Sequence, residues 1–176
     1  MQHISTINAK IININQYLQQ NLVNTIKNEN ELEDTIQSMI NSTDHMDQIV
    51  NQSHEYTMVL SSEYYSEFEK WIRVGWALKN THPILILTWL KFSLKYEGCS
   101  WSDVPKRISE WNGFSNSGGL TLGSIKRWAK LSNEQEYNKI YQSSLDYYLN
   151  RCLKSRSYDE SKHVITEWDV AMVAKT

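Results

Sequence analysis

The first 60 residues contain no tryptophan, phenylalanine, glycine or proline, and nine of them are asparagine. All seven tryptophans, all six glycines and both prolines lie beyond residue 70. Because aromatic side chains supply the large buried areas that a small core needs, we expect the packed domain in the second two-thirds of the chain. Charge divides similarly, with 2 basic against 7 acidic residues in 1–60 and 16 against 13 in the remainder.

Cysteine is scarce, and no long apolar run is present. Cys99 and Cys152 form no CxxC pair and have no neighbouring pair of histidines, so we expect neither a disulfide framework nor a metal site. Apolar runs such as residues 84–87 are short, whereas a membrane span needs about 18 residues. Met1 precedes a polar stretch that does not resemble a signal peptide. These features predict a soluble, intracellular protein without membrane contact.

The N-terminal part of the chain carries apolar residues at helical spacing. The seam begins with a 3-4-3-4 pattern at Ile4, Ile7, Ile11, Ile14 and Leu18. It shifts phase to Leu22 and Ile26, and weaker spacing resumes at Leu32. A short seam flanked by Asn and Gln makes a marginal helix when isolated. Two interpretations remain: residues 1–55 are a linker-like amphipathic segment, or residues 4–26 mediate homo-oligomer formation.

Helical signals are stronger from residue 62 onwards. Residues 63–79 are predicted to form one helix whose inner face carries Tyr64, Phe68, Trp71, Ile72 and Gly75. Residues 84–94 are apolar on most sides, which predicts a central helix. His82, Thr121 and Ser132 are predicted to cap helices, Ser132 through a capping box with Gln135. No convincing alternating strand is present. The pattern predicts an all-α fold of about five to six helices, preceded by the amphipathic segment.

Catalytic motifs are missing from the sequence. The loop at residues 118–124 (GGLTLGS) has the glycine spacing of a phosphate loop, but Ser124 and Ile125 stand where Lys and Ser or Thr are required. Carboxylates such as Glu31, Glu33 and Asp34 are scattered over predicted surfaces and do not form the cluster that two metal ions require. We therefore expect no enzymatic activity, no cofactor and no metal.

Three motifs resemble the primase C-terminal type 2 domain of poxvirus-type primase-helicases and their giant-virus relatives. They occur in the family's order at residues 64–80 (ending in WIRVGWALKN), 89–93 (WLKFS) and 119–130 (GLTLGSIKRWAK). The resemblance covers residues 56–153 and implies a helical domain. Residues 166–171 (TEWDVA) resemble the start of the helicase region that follows in this family, so residues 154–176 are read as a lead-in toward a helicase region absent from this chain. The chain is accordingly expected to be an excised piece or a truncated homologue.

The resemblance implies a role in viral DNA replication, beside primase and helicase modules in the host cytoplasm or nucleus. The first hypothesis is a non-catalytic accessory or connector domain that also contacts DNA through a basic helical face. Seven residues are the candidates for this contact: Arg73, Lys79, Lys91, Lys95, Lys126, Arg127 and Lys130. The alternative is a protein–protein interaction or oligomerisation module without nucleic-acid contact. In that case the lysines solvate the outer faces of helices and the tryptophans are core residues.

Overall fold

The computed structural model describes residues 25–40, 45–114 and 118–155, and every regular element in these ranges is helical. The prediction of a compact all-α domain is confirmed. The α-helices are α1 (Glu29–Ile40), α2 (His45–Met58), α3 (Glu63–Ser66), α4 (Phe68–Thr81), α5 (Ile86–Leu94), α6 (Val104–Gly113), α7 (Leu122–Ser132) and α8 (Glu134–Ser155). Short 3-10 turns at Pro83–Leu85 and Trp101–Asp103 precede α5 and α6. Most of the seam at residues 4–26, and residues 156–176, lie outside the described ranges.

Helix α5 is the centre of the domain, as its apolar sequence predicts. It packs against α1, α2, α4 and α6. Trp89 is fully buried, and its ring stacks on Trp71 with centroids 4.7 Å apart. Trp111 and Phe114 contact the same indole at 5.7 and 5.2 Å. Aromatic rings from three different segments therefore meet around Trp89 and form the middle of the core.

Helix α2 is far more buried than its polar sequence suggests. Gln52, Ser53, His54 and Thr57 are all at most 5% exposed. Ser53 and Thr57 donate their hydroxyl protons to backbone carbonyl groups one turn earlier, both at 2.6 Å. Burial of such groups is tolerated when they are hydrogen-bonded. The predicted domain boundary at residues 55/56 falls inside this helix, and α1 contributes Leu32 and Ile36 to the same core.

The single helix expected over residues 63–79 is interrupted. Glu67 is extended, with φ −94° and ψ 120°, so α3 ends at Ser66 and α4 begins anew at Phe68. The inner face predicted for one continuous helix is therefore interrupted between Tyr64 and Phe68. Phe68, predicted to point into the core, is 66% exposed. That prediction was wrong because helical spacing was extended across a break that the sequence does not signal.

The helix caps agree with the sequence at two positions and differ at a third. His82 accepts a hydrogen bond from the Ile84 backbone N–H, and Thr121 forms a capping box with Ser124. Gly118 and Gly119 precede Thr121 with φ of +80° and +66°, a region that favours glycine. The predicted cap at Ser132 is wrong, since that residue still belongs to α7. Asn133 caps α8 instead, accepting from the Glu136 backbone N–H at 3.1 Å.

Candidate interaction surfaces

The seven basic candidate residues are distributed over α4, α7 and α5, including the cap position just after α5. Their side chains contact several different elements of the fold. The ammonium groups of the five lysines all meet carbonyl oxygens, carboxylates or aromatic rings that belong to the fold. The two arginines lie on α4 and α7, and the Arg73 guanidinium meets the ring of the partly exposed Trp128.

Lys79 closes the C-terminal end of α6. Its Nζ donates to the carbonyl oxygens of Trp111, Asn112 and Phe114 at 2.7, 3.1 and 2.9 Å. The last carbonyl groups of a helix have no partner within the helix, and a cation satisfies them well. Burial lowers the pKa of the Lys79 ammonium group. Lys79 therefore attaches α4 to the end of α6 and is largely withdrawn from solvent contacts.

Replacing Lys79 with methionine should lower the free energy of unfolding by about 1–3 kcal/mol, because a charge-assisted set of hydrogen bonds to carbonyl groups is lost. Methionine keeps most of the apolar stem, so packing changes little. Urea unfolding of both proteins measures the difference. Lys106→Met is the control, because Lys106 is exposed and forms no ion pair within the described ranges. Equal losses for both variants would show that the contacts of Lys79 contribute nothing specific.

Lys91 and Lys95 hold neighbouring segments against α5. Lys91 Nζ pairs with the Glu33 carboxylate of α1 at 2.5 Å. Lys95 Nζ donates to the Met58 carbonyl oxygen at the end of α2 at 3.0 Å, and it lies 5.5 Å from the Tyr65 ring centroid. Burial lowers the pKa of Lys95, and the nearby Lys91 adds to the effect. Both lysines therefore join helices that are distant in sequence.

Lys126 and Lys130 extend from α7 toward tyrosines of α2 and α8. Lys126 Nζ lies 5.5 Å from the Tyr56 ring centroid, and Lys130 Nζ lies 5.9 Å from that of Tyr137. The two rings are themselves in contact, with centroids 5.2 Å apart. Burial lowers the pKa of Lys126, whereas Lys130 also approaches Glu134 at 3.6 Å. These lysines cover an aromatic contact between helices.

The two arginine candidates are Arg73 and Arg127, and Arg73 lies beside a partly exposed aromatic pair. The Arg73 guanidinium is 5.5 Å from the Trp128 ring centroid, and Tyr64 packs on the same indole at 5.7 Å. Arg127 is exposed and has no ion-pair partner within the described ranges. We call Tyr64, Arg73, Arg127 and Trp128 the Trp128 surface. Among the predicted candidates, these two arginines are the exposed ones that form neither a hydrogen bond nor an ion pair within the described ranges.

A cavity of about 170 Å³ opens between α3, α4, the segment after α5, and α6. Its walls include Tyr65, Phe68, Trp71, Tyr96, Cys99 and Arg107. The Arg107 guanidinium lies 4.8 Å from the Trp71 ring centroid, and its Nη1 bonds Glu110 at 2.7 Å. We call this hollow the Arg107 cavity. Sequence reasoning missed it because its walls come from four segments with no shared periodicity.

Two further sites considered in the sequence have a structural explanation. The glycine loop before α7 ends in the Thr121–Ser124 capping box, so its geometry serves the start of the helix.

Within the described ranges, no group of three or more His, Cys, Asp or Glu side chains could hold a metal ion. No helix in the same ranges is long and apolar enough to cross a membrane. Cys99 is a free thiol whose pKa is raised, chiefly by burial.

Comparison with known protein families gives a match to part of the chain. Residues 53–129 match the family model described as Primase C terminal 2 (PriCT-2). The matched region begins within α2, contains α3 to α6, and ends in α7, so it includes both the Trp128 surface and the Arg107 cavity. No curated protein matches the chain.

Proposed function

We propose that the chain is a non-catalytic connector domain of a viral DNA-replication primase-helicase, of the kind found in poxviruses and giant viruses. The match of residues 53–129 to the primase C-terminal family supports a place in the C-terminal region of a primase-containing replication protein. In this role the helical domain holds the primase and helicase modules in a fixed relation and performs no chemistry of its own.

One observation favours a connector domain over a DNA-binding domain. All five lysine candidates contact groups of their own fold, and Lys79 alone satisfies three carbonyl oxygens. Phosphate binding requires cations that are free to replace the counterions condensed on the nucleic acid. A lysine that already holds two helices together would lose those contacts on binding phosphate. Most of the positive charge therefore serves the packing of the domain.

The experiment mixes the full chain with separately purified primase and helicase modules of such a replication protein. Size-exclusion chromatography with light scattering measures the mass of each mixture at about 150 mM salt, where the screening length is about 8 Å. We expect a complex with at least one module. If neither module forms a complex while DNA is bound at the same salt concentration, the connector proposal is wrong.

DNA contact is the second candidate function, and the Trp128 surface favours it. Arg73 and Arg127 supply two exposed cations, and Trp128, which contacts Arg73 and follows Arg127 in the chain, supplies a partly exposed ring. Proteins that bind single strands combine cations for the backbone with aromatic rings on which bases stack. A patch with only two arginines predicts weak binding that depends strongly on salt. In this candidate function the domain contacts a strand that passes between the neighbouring modules.

If this second function holds, the double change Arg73→Ala with Arg127→Ala should weaken single-strand binding about tenfold or more at low salt, since two phosphate contacts are lost. Fluorescence anisotropy with a labelled oligonucleotide measures the affinity. The matched control is Lys91→Ala, which removes a cation that is paired with Glu33. Equal weakening by the control would assign binding to total charge and not to the Trp128 surface.

A further inference from the structure

The dipeptide Asn112-Gly113 ends helix α6 and faces solvent. Both residues are exposed, and a Cβ atom built on Gly113 would have no neighbour within 4 Å. The next residue, Phe114, is extended, with φ −62° and ψ 120°, and it donates its backbone N–H to the Trp111 carbonyl oxygen at 3.2 Å. Asn112 is therefore the last residue but one of its helix, and the residue after it has no side chain to obstruct the approach of the main chain.

An asparagine followed by glycine can deamidate without an enzyme. The main-chain nitrogen of the glycine loses its proton and attacks Cγ of the asparagine. The new N–Cγ bond closes a five-membered succinimide ring, and the Cγ–Nδ2 bond breaks, so that the amide nitrogen takes up a proton and leaves as ammonia. Water then opens the ring. Cleavage of the N–Cγ bond gives aspartate, whereas cleavage of the bond between the same nitrogen and the main-chain carbonyl carbon gives isoaspartate.

Asn112 differs from three other asparagines of the described helices. Asn51 and Asn80 are partly buried, and their Nδ2 groups donate to main-chain carbonyl oxygens at 2.8 and 2.9 Å. Asn138 is exposed, but it lies inside α8 and is followed by Lys139, whose side chain hinders ring closure. The Asn112 amide forms no hydrogen bond within the described ranges. Its Cγ is therefore open to attack once the main chain can reach it.

The contact of Lys79 with the end of α6 restrains this attack. In a helix the main-chain nitrogen that follows an asparagine points away from Cγ, so the ring closes only when the last turn opens. Lys79 Nζ donates to the carbonyl oxygens of Trp111, Asn112 and Phe114 at 2.7, 3.1 and 2.9 Å. These acceptors lie on both sides of the peptide bond that must rotate. Opening of the turn therefore breaks bonds that the Lys79 ammonium group forms.

We propose that Asn112-Gly113 is a site of spontaneous deamidation, and that the Lys79 contact sets its rate. Isoaspartate lengthens the main chain by one methylene group, and either product places a new carboxylate at the C-terminal end of a helix, where negative charge is unfavourable. Phe114 follows directly and packs on the Trp89 ring with centroids 5.2 Å apart. The modification therefore displaces a side chain of the aromatic core, and the protein loses stability with age.

The test incubates the full chain at body temperature and mildly alkaline pH, followed by tryptic digestion and mass spectrometry. Residues 108–126 form one tryptic peptide, which contains Asn112 and Asn116, and fragment spectra locate the gain of one mass unit. The gain should accumulate at Asn112 and rise with pH, because the attacking nitrogen must lose its proton. Asn138 is the internal comparison. If Asn112 converts no faster than Asn138, the proposal is wrong.

Two variants test the mechanism. Gly113→Ala keeps Asn112 and has room for the added Cβ. It should slow the conversion at least about fivefold, because alanine favours the helical conformation and hinders the attack. Lys79→Met should accelerate it at least about fivefold, because the last turn opens more often without these hydrogen bonds. Lys106→Met, on the exposed side of the same helix, should leave the rate unchanged.

Each variant has a result that contradicts its part of the proposal. An unchanged rate in Gly113→Ala would show that the Gly113 nitrogen does not close the ring. A rate in Lys79→Met that equals the rate of the unchanged chain, or falls below it, would show that Lys79 does not restrain the step. A general loss of stability in Lys79→Met would accelerate conversion at Asn138 as well. Acceleration confined to Asn112 therefore identifies opening of the α6 terminus.

The consequence for stability is measured on aged protein. Ion-exchange chromatography separates the deamidated chain by its added negative charge, and urea unfolding compares it with fresh protein. The deamidated chain should unfold at a lower urea concentration. Gly113→Ala, aged in parallel, should keep its midpoint. Equal midpoints for deamidated and fresh chains would show that the change at the end of α6 does not reach the aromatic core.

Discussion

Replacing Gly75 with alanine is expected to destabilise the protein by about 1–3 kcal/mol, even though alanine is the better helix former. A Cβ atom at this position would lie 2.5 Å from Phe114 Cε2 and 2.8 Å from Trp89 Nε1. Neither ring can move away from the added Cβ atom easily. Trp89 is fully buried, and Phe114 contacts the rings of Trp76 and Trp111 as well as that of Trp89. The strain therefore spreads into the aromatic centre of the core.

Gly123→Ala is the matched control for this prediction. Gly123 lies in the first turn of α7, and an added Cβ would have its nearest contact with Thr121 Oγ1 at 3.6 Å, an ordinary separation. This change should leave stability equal or raise it by up to about 1 kcal/mol. Urea unfolding of the two variants gives the comparison directly. A gain of stability in Gly75→Ala would mean that the close approach of α4 to Trp89 and Phe114 is wrongly described.

The second large effect is on the pH dependence of stability, through His54. Its Nδ1 lies 2.9 Å from Thr88 Oγ1, and the side chain is buried. Burial, helped by the nearby Lys91 and opposed by Glu33, lowers its pKa from 6.5 to about 4. Between these pH values the unfolded chain binds a proton that the folded chain does not. Stability should therefore fall as the pH falls from 6.5 to 4, by about 3 kcal/mol from this group.

The variant His54→Gln isolates this contribution, because glutamine does not titrate. Urea unfolding at several pH values between 7 and 4 should give a steeper loss of stability for the unchanged protein than for the variant. The carboxylates that also titrate in this range are common to both proteins and cancel in the difference. Parallel curves for the two proteins would show that His54 is not held in its neutral form by the fold.

Local patterns in the sequence predicted the elements that bury apolar side chains continuously. The helix at residues 84–94 was expected to be central, and α5 is. The burial of helix α2 was underestimated because the side chains that it buries are largely polar. Its buried side chains include Ser53 and His54, whose partners are a carbonyl group one turn away and a residue of α5. The periodicity of apolar residues cannot reveal the burial of polar side chains, which is tolerated because these side chains are hydrogen-bonded.

The contacts of the basic residues could not be predicted from spacing. Lys79 and its carbonyl partners are separated by 32 to 35 residues, and Lys95 and Met58 by 37. Lysines at helix surfaces look alike in a sequence, whether they face solvent or another helix. The Arg107 cavity was missed for a related reason, since the exposed position of Phe68 depends on a backbone break at Glu67. That break follows from tertiary packing and has no proline or glycine to announce it.

The measurement that tests the central claim most directly is the salt dependence of DNA binding by the unchanged chain. For duplex DNA, the slope of log K against log salt is about −0.9 for each phosphate that is neutralised. If the lysines serve the fold and only Arg73 and Arg127 can reach phosphate, the slope should be no steeper than about −2, with no saturable binding at about 150 mM salt. A slope near −6, with binding that persists at that salt concentration, would mean that all seven residues contact DNA, and it would contradict the claim.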